Sequence, residues 1–207
     1  MNEPVAVAVL AKAPIAGFAK TRLIPVLGAD GAARLQERLI VRAVTPACDA
    51  SIGPVMLWAT PDQSHPAFQA IAARCDVTLA SQGDGDLGGR MLAAIAAASG
   101  PALVIGTDCP ALTATHLRAA ADVLRGGTDV VVLPAEDGGY VLIGMRSPQP
   151  ALFSDMCWST PRVMDDTRAR LRTLGLTWRE PTTLWDVDVP ADLARLKDIG
   201  LSAEPQG

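Results

Sequence analysis

Short runs of consecutive apolar residues recur along the chain, and longer stretches with helical spacing of apolar residues separate most of them. Such runs, rich in Val, Ile and Leu, are typical of strands that a parallel sheet buries on both faces. The predicted strands cover residues 5–10, 55–59, 77–80, 102–106, 129–133 and 140–144, with a short one at 177–178.

The intervening stretches predict helices from the spacing of their apolar residues. These helices cover residues 35–44, 64–72, 87–98, 113–124, 161–174 and 190–199. Ser64 and Thr113 are expected to cap their helices, and either Ser159 or Thr160 caps the one that begins at Pro161. Residues 12–28 contain two prolines and two glycines and are predicted to form a long loop.

Strands and helices alternate in the first half, which predicts parallel strands joined by right-handed crossovers. The strands near residues 130 and 142 are too close in sequence for a helical crossover, so an antiparallel or mixed element is expected there. We therefore predict a three-layer α/β/α fold with a mostly parallel, mixed central sheet. It forms a single domain over residues 1–201, followed by a frayed tail at 202–207.

Composition narrows the class of protein. A hydrophobic content of 49% excludes a disordered chain, and a net charge of −4 argues against a nucleic-acid binder. The four cysteines form no C-x-x-C pair, so reduced thiols are expected rather than a disulfide framework or a zinc site. The first apolar run is too short to span a membrane, and we expect a cytoplasmic protein.

Asp108 lies just beyond the carboxyl end of the strand predicted at 102–106. Open α/β sheets bind their ligands at this position, and Gly106 would let a ligand approach the backbone closely. Pro110 disfavours helix at Cys109 and so keeps the turn open. The alternatives are a solvated turn residue or the N-cap of the next helix, and this segment alone does not decide between them.

The loop after the first strand gathers three cations, Lys12, Lys20 and Arg22, together with the hydroxyl of Thr21. Clustered cations at the carboxyl edge of a sheet suit a polyphosphate ligand. The spacing matches neither a Walker loop nor a dinucleotide-binding fingerprint. A solvated basic loop is the alternative.

A glycine-rich segment at 82–90 offers a second set of binding groups. Gln82 has donor and acceptor groups that could read the edge of a base. Gly83 permits close backbone approach, and Arg90 on the first turn of a helix could reach an anion. A flexible surface turn explains the same composition equally well.

Three further carboxylates follow in the second half. Asp137 precedes two glycines, so it is a turn residue or a carboxylate that orients an acceptor or supports a metal. Asp186 and Asp188 alternate, which places both on one face of an extended segment. Such a pair repels unless a cation lies between them, and oxygen ligands favour Mg²⁺ or Mn²⁺. Alternatively, Asp188 caps the helix that begins at Pro190.

Taken in order, these segments resemble the nucleotide-diphospho-sugar transferase superfamily, which has the GT-A fold. The resemblance is closest to the bacterial selenodomain-associated transferase family, and it extends to the guanylyltransferases of deazaflavin-cofactor and molybdenum-cofactor synthesis. The motifs that carry it are K-x-P-x-x-G-x-x-K-T-R-L at 12–23, Q-G-x-G-D-L-G-x-R at 82–90, G-T-D-C-P at 106–110, E-D-G-G-Y at 136–140, W-S-T at 158–160 and D-V-D-x-P-x-D-L at 186–193.

The resemblance implies roles for these residues. It assigns a divalent metal, Mg²⁺ or Mn²⁺, to Asp108 with Asp188, and Asp186 is a further candidate ligand. It implies that the first loop binds the nucleotide phosphates and that the glycine-rich segment at 82–90 binds the nucleoside. Lys20, Asp108 and Asp137 are the implied catalytic residues. The implied nucleotide-binding residues are Lys12, Gly17, Lys20, Thr21, Arg22, Gln82, Gly83 and Arg90.

Three functions are consistent with these assignments. Nucleotidyl transfer from a nucleoside triphosphate to a small phosphorylated or carboxylated acceptor is slightly favoured, because the loop cations suit a triphosphate. Glycosyl transfer from a nucleotide sugar to a small acceptor is the alternative, and a non-catalytic nucleotide-binding regulator is the third. The expected partners are a nucleotide and a small acceptor, without nucleic acid. The sequence does not indicate an oligomeric state.

Overall fold

The computed structural model describes residues 3–201, so the predicted frayed tail at 202–207 lies outside the described residues. Its centre is a seven-stranded sheet in the order β3-β2-β1-β4-β6-β5-β7. The strands are β1 (Ala6–Lys12), β2 (Val55–Thr60), β3 (Thr78–Ser81), β4 (Ala102–Ile105), β5 (Val130–Pro134), β6 (Tyr140–Met145) and β7 (Trp178–Arg179).

Strand β6 runs against the direction of its neighbours. It pairs antiparallel with β4 and β5, whereas the pairs β1–β2, β1–β4, β2–β3 and β5–β7 are parallel. The predicted mixed, mostly parallel sheet is therefore confirmed. Because β6 is reversed, its first residues lie at the same sheet edge as the carboxyl ends of β1 and β4.

The helices are α1 (Ile24–Ala50), α2 (Pro66–Cys75), α3 (Leu87–Ala96), α4 (Ala114–Arg125), α5 (Pro150–Phe153), α6 (Val163–Thr173) and α7 (Leu193–Asp198). Short 3₁₀ turns at Thr21–Leu23 and Pro190–Asp192 precede α1 and α7. No described helix is long and apolar enough to cross a membrane.

Apolar side chains form a layer on each face of the sheet, because successive strand residues point to opposite sides. On one face, Val7 and Val9 pack with residues of α1, α2 and α4. On the other, Ala8 and Leu10 pack with residues of α3, α5 and α6. The three-layer α/β/α prediction is confirmed.

The predicted loop at 12–28 is wrong at its carboxyl end. The chain turns into 3₁₀ helix at Thr21 and into α1 at Ile24, with Pro25 in the first turn. Proline is tolerated there because the first amide hydrogens of a helix have no helical partner. Gly28 breaks the helical geometry with a φ of +69°, so the segment is a kinked helix rather than a loop.

Two of the predicted helix caps are also wrong. His65, not Ser64, caps α2, because its Nδ1 accepts the amide hydrogen of Ala67 at 3.2 Å. Neither Ser159 nor Thr160 caps α6, which begins at Val163 without a side-chain cap. The prediction that Thr113 caps α4 is confirmed by its bond from the His116 amide.

Candidate active site

A cavity of about 730 Å³ opens at the sheet edge where β1 and β4 end and β6 begins. Its size is ordinary for a small-molecule site. All but two of the predicted site residues line it, namely Lys12, Lys20, Thr21, Arg22, Gln82, Arg90, Asp108, Asp137, Asp186 and Asp188. Gly17 and Gly83 are not among the lining residues. Gly17 has a φ of +81°, so it shapes the turn of the first loop.

Lys20 is at the centre of the site. Its side chain is only 5% exposed, and its Nζ lies 2.7 Å from Oδ1 of Asp108. The same Nζ donates a hydrogen bond to the Val187 carbonyl at 2.6 Å. An ammonium has three hydrogens to donate, so two of these contacts leave one for a ligand. Lys20 thus joins the first loop to the two segments that carry the predicted metal ligands.

The other two cations of the loop are more exposed. Arg22 forms an ion pair with Asp188. Asp188 does not cap the following helical turn, because Val189 is its N-cap residue. The Asp192 carboxylate accepts the amide hydrogens of Asp188 and Val189 there. Lys12 and Phe18 both line the cavity, and the Lys12 ammonium lies 5.9 Å from the ring centroid of Phe18.

Asp108 projects into the cavity with its side chain 51% exposed. The N-cap alternative is wrong, because Thr113 caps the helix that follows. Two buried polar side chains, linked by a hydrogen bond, support the carboxylate. Thr107 donates from Oγ1 to Asp108 Oδ1 at 3.2 Å, and Gln36 donates from Nε2 to Thr107 Oγ1 and to the Lys12 carbonyl.

Sequence reasoning missed Gln36 as a member of this site. It is 3% exposed and lies between the apolar residues of the buried face of α1. A polar residue on a face that is otherwise apolar was the available signal, since buried amides are almost always hydrogen-bonded.

Asp186 lies in a field of like charge. Burial, followed by the carboxylates of Asp137, Asp108 and Asp188, raises its pKa from 3.8 to about 6. Val187, between the two aspartates, is fully buried and donates its amide hydrogen to the Asp108 carbonyl at 2.8 Å. Asp186 and Asp188 both line the cavity, as their alternation predicts.

The central glycine-rich segment contributes two side chains to the cavity. Gln82 donates from Nε2 to the carbonyls of Ala11 and Trp58, at 3.2 and 2.8 Å, which leaves its amide oxygen for a ligand. In the described part of the chain, the Nε of Arg90 is buried and has no hydrogen-bond partner. An unpaired buried donor of this kind is costly unless a ligand satisfies it.

Two aromatic side chains form a further wall of the cavity. Tyr140 and Trp158 meet edge to face with their ring centroids 6.4 Å apart. Asp137, in the β5–β6 turn below them, accepts the amide hydrogen of Gly139 at 2.8 Å and also lines the cavity. Asp137 therefore stabilises the turn and lines the cavity at the same time, so the two interpretations of this residue are compatible.

The donor set suits a hard divalent cation. Within residues 3–201, no three acidic, histidine or cysteine side chains are gathered in a metal-binding group. Mg²⁺ in phosphate-handling sites usually takes only one or two protein carboxylates and completes its shell with substrate phosphates and water. Asp108 and Asp186 both line the cavity and repel each other electrostatically, and a cation between them would relieve the repulsion.

Comparison with known proteins agrees with this fold. The sequence model of a bacterial family, described as an uncharacterized protein conserved in bacteria (DUF2064), matches residues 43–160. No curated protein matches the chain. The crystal structure of a provisionally named nucleotide-diphospho-sugar transferase from Desulfovibrio desulfuricans G20 is 26% identical. It superimposes with a TM-score of 0.80 over 89% of this chain and 82% of that chain.

Two more distant structures share the fold alone. CMP:2-keto-3-deoxy-manno-octonic acid synthetase complexed with CTP is 13% identical, with a TM-score of 0.60 over 96% of this chain and 98% of that chain. Glucosyl-3-phosphoglycerate synthase from Mycobacterium tuberculosis, complexed with Mn²⁺, UDP and its product, is 11% identical. Its TM-score is 0.54 over 99% of this chain and 81% of that chain. The predicted superfamily fold is confirmed, and these neighbours are transferases.

Proposed function

The chain belongs to the DUF2064 family of bacterial proteins, and we propose that it is a metal-dependent transferase with a nucleotide substrate. The observation that carries this proposal is the meeting of Lys20, Asp108 and Asp186 in one cavity. A cation for phosphate and two carboxylates for a metal are the groups that such a reaction requires.

The first loop would hold the phosphates. Lys20 retains one free hydrogen beside Asp108, while Lys12 and Arg22 lie at the more exposed part of the cavity. The Gln82 amide oxygen, fixed by the two bonds of its nitrogen, would accept a hydrogen bond from the base. These groups favour a nucleotide with a chain of phosphates.

Asp108 and Asp186 are the residues that would hold Mg²⁺ or Mn²⁺. The neighbouring carboxylates around Asp186 favour a cation beside it, whereas Arg22 already neutralises Asp188, so we take Asp186 rather than Asp188 as the second ligand. When bound, the metal would neutralise phosphate charge and polarise a phosphoryl oxygen. The Gln36–Thr107 pair would keep Asp108 oriented for this task.

We favour nucleotidyl transfer as the reaction. An oxygen of the acceptor attacks the α-phosphate of a nucleoside triphosphate, a new phosphorus–oxygen bond forms, and pyrophosphate leaves. An acceptor that attacks with an ionised phosphate or carboxylate has no proton to lose, so no general base is needed. Asp137, which lines the cavity, would orient the acceptor by accepting a hydrogen bond from an uncharged donor group of that molecule, away from the anionic oxygen that attacks, and positioning would supply most of the rate.

Glycosyl transfer from a nucleotide sugar is the second candidate. It is supported by the Desulfovibrio protein, which is named for a nucleotide-diphospho-sugar substrate and is 26% identical to this chain. A diphosphate needs less neutralisation than a triphosphate, so the same loop could serve it with fewer contacts.

A thermal-shift panel of nucleoside triphosphates and nucleotide sugars, with and without Mg²⁺ or Mn²⁺, tests the proposal. A ligand at a concentration of about 100 times its dissociation constant raises the free energy of unfolding of the protein by about 2.7 kcal/mol. For a domain of this size, that raises the melting temperature by roughly 5–10 °C. We expect this rise only with metal present.

Asp108→Asn should abolish the metal-dependent part of that shift, because it removes a charged ligand. Asp30→Asn, an exposed carboxylate on α1 outside the cavity, is the matched control and should behave like the wild type. Calorimetry that finds unchanged Mg²⁺ dependence in Asp108→Asn would refute the metal assignment.

A further inference from the structure

We propose that the side of the cavity between Arg90 and Trp158 binds the acceptor, and that this acceptor is a small anion with an apolar or aromatic body. The proposal rests on the proposed transferase function and reassigns Arg90, to which the family resemblance implies a role in nucleotide binding. Its anionic group would bind the Arg90 guanidinium, and its body would lie against Trp158 and Tyr140.

Arg90 brings a cation to the cavity, where its guanidinium interacts electrostatically with Asp86. Its Nε is buried without a hydrogen-bond partner in the described chain, and the residue lines the cavity. The carboxylate nearest in sequence, Asp86, is occupied, because it accepts the Gly89 amide and the Trp158 indole N–H. A planar guanidinium matches the geometry of a phosphate or a carboxylate.

Trp158 is held in place on several sides. Its Nε1 donates to Asp86 Oδ2 at 3.0 Å, and its ring packs on Phe153 and Tyr140 with centroids 6.5 and 6.4 Å apart. Gly88 makes this position possible, because a Cβ there would lie 2.6 Å from the indole Cζ2. A rigid aromatic wall costs little entropy when an apolar ligand packs against it.

Tyr140 adds a hydroxyl to the same wall. Its only hydrogen-bond contact in the described residues is a weak one to Met91 Sδ at 3.9 Å. Burial raises the pKa of Tyr140 far above its ordinary value, so the phenol keeps its proton and can donate it to a ligand oxygen. Arg90, Met91 and Tyr140 all line the cavity, so both donors are available to one ligand.

The strand order separates this region from the nucleotide groups. The first loop and Gln82 follow β1 and β3, on one side of Asp108, whereas Tyr140 begins β6 on the other side. Arg90 interacts with Asp86, which is bonded to Trp158, and so belongs with the aromatic wall. Asp108 and Asp186 would thus lie between the donor and the acceptor.

Calorimetric titration of the full chain with three probes tests the proposal. The probes are phenyl phosphate, which joins an anion to a ring, inorganic phosphate, which lacks the ring, and phenol, which lacks the anion. We expect phenyl phosphate to bind about tenfold more tightly than either fragment. Arg90→Ala should lower the affinity for phenyl phosphate by about tenfold or more. Trp158→Ala should lower that affinity to the value found for inorganic phosphate.

Arg162→Ala is the matched control, because this nearby arginine is 79% exposed and does not line the cavity. Arg90→Lys keeps the charge without the planar fork and should lose affinity even if Arg90→Ala does not fold. The proposal is overturned if Arg90 variants bind phenyl phosphate normally, or if they lose the nucleotide-dependent thermal shift instead. A wild type that binds phenyl phosphate through Arg90 and Trp158 but no nucleotide would support this subsite and refute the proposed function.

Discussion

Lys20 shows how one side chain can serve both structure and chemistry. Its left-handed backbone, with a φ of +51°, turns the first loop inward and buries the ammonium between Asp108 and the Val187 carbonyl. A buried ammonium group is costly unless it is paired and hydrogen-bonded. The contacts with Asp108 and the Val187 carbonyl offset that cost and hold a hydrogen-bond donor at the cavity before any ligand arrives.

Lys20→Ala should separate the two candidate reactions. A triphosphate carries more charge than the diphosphate of a nucleotide sugar, so its affinity should fall further, by about tenfold or more. Calorimetry with both ligand classes measures the ratio, which is insensitive to any general loss of stability. Lys197→Ala, an exposed lysine on α7, serves as the control. Equal losses for both classes would count against nucleotidyl transfer.

Asp186→Asn should stabilise the metal-free protein at neutral pH. Folding raises the pKa of Asp186 from 3.8 to about 6, so the native state holds its proton more tightly than the unfolded chain. Ionised Asp186 therefore destabilises the fold above pH 6, and the penalty disappears below about pH 4, where both states are protonated. With allowance for solvent screening, the gain from the substitution is about 1–2 kcal/mol at pH 8.

Urea unfolding in the presence of a chelator, at pH 4 and at pH 8, measures this difference. Asp188→Asn is the matched control, and it should bring no gain because it removes the partner of Arg22. A stability gain for Asp186→Asn that is the same at both pH values would contradict the electrostatic explanation.

Among the elements, the strands were the most predictable from sequence. Runs such as 102–105 are apolar throughout because β4 is buried on both faces, and no other element combines that length with that composition. The helix at 24–28 was predicted as a loop because Pro25 and Gly28 are both typical of loops. In the structure, Pro25 fits the first turn of α1 and Gly28 kinks the helix. The capping roles of His65 and Asp192 were not predicted, because they depend on side-chain rotamers that a pattern of residues does not specify.

Gly138→Ala should break the contact between the β5–β6 turn and the start of α6. A Cβ at Gly138 would lie 2.1 Å from the Pro161 carbonyl oxygen, and the glycine has a φ of +92°. The left-handed backbone costs about 1 kcal/mol for alanine, and the clash adds about 1–3 kcal/mol. Gly175→Ala isolates the first cost, because Gly175 has a φ of +67° and open space around its Cα.

Chemical unfolding of both variants measures the two costs. The loss should be clearly larger for Gly138→Ala, and its binding of phenyl phosphate should also weaken because Pro161 lines the cavity. Equal losses in stability for the two variants would show that the turn does not depend on this close approach.

At the scale of the molecule, residues 184–188 complete the site by hydrogen-bonding to the edge of the sheet. Leu184 donates to the Pro134 carbonyl at 3.0 Å, and Val187 donates to the Asp108 carbonyl at 2.8 Å. Residues 184–188 thus cross the sheet edge from β5 to β4 and carry Asp186 and Asp188 with them. The sequence identified these aspartates through their motif, but not the pairing of Lys20 with Asp108, which depends on this long-range docking.

Val187→Ala should therefore weaken the fold and the site together. Val187 is fully buried against Leu23, Leu35 and Leu39, so the loss of two methyl groups costs about 2 kcal/mol. Val132→Ala, in the middle of β5, removes an equally buried valine that does not line the cavity and should cost about the same. Only Val187→Ala should also reduce the metal-dependent nucleotide shift, because it loosens the segment that holds Asp186 beside Asp108. If both variants keep the full shift, the closing segment is a structural strap and does not position the carboxylate.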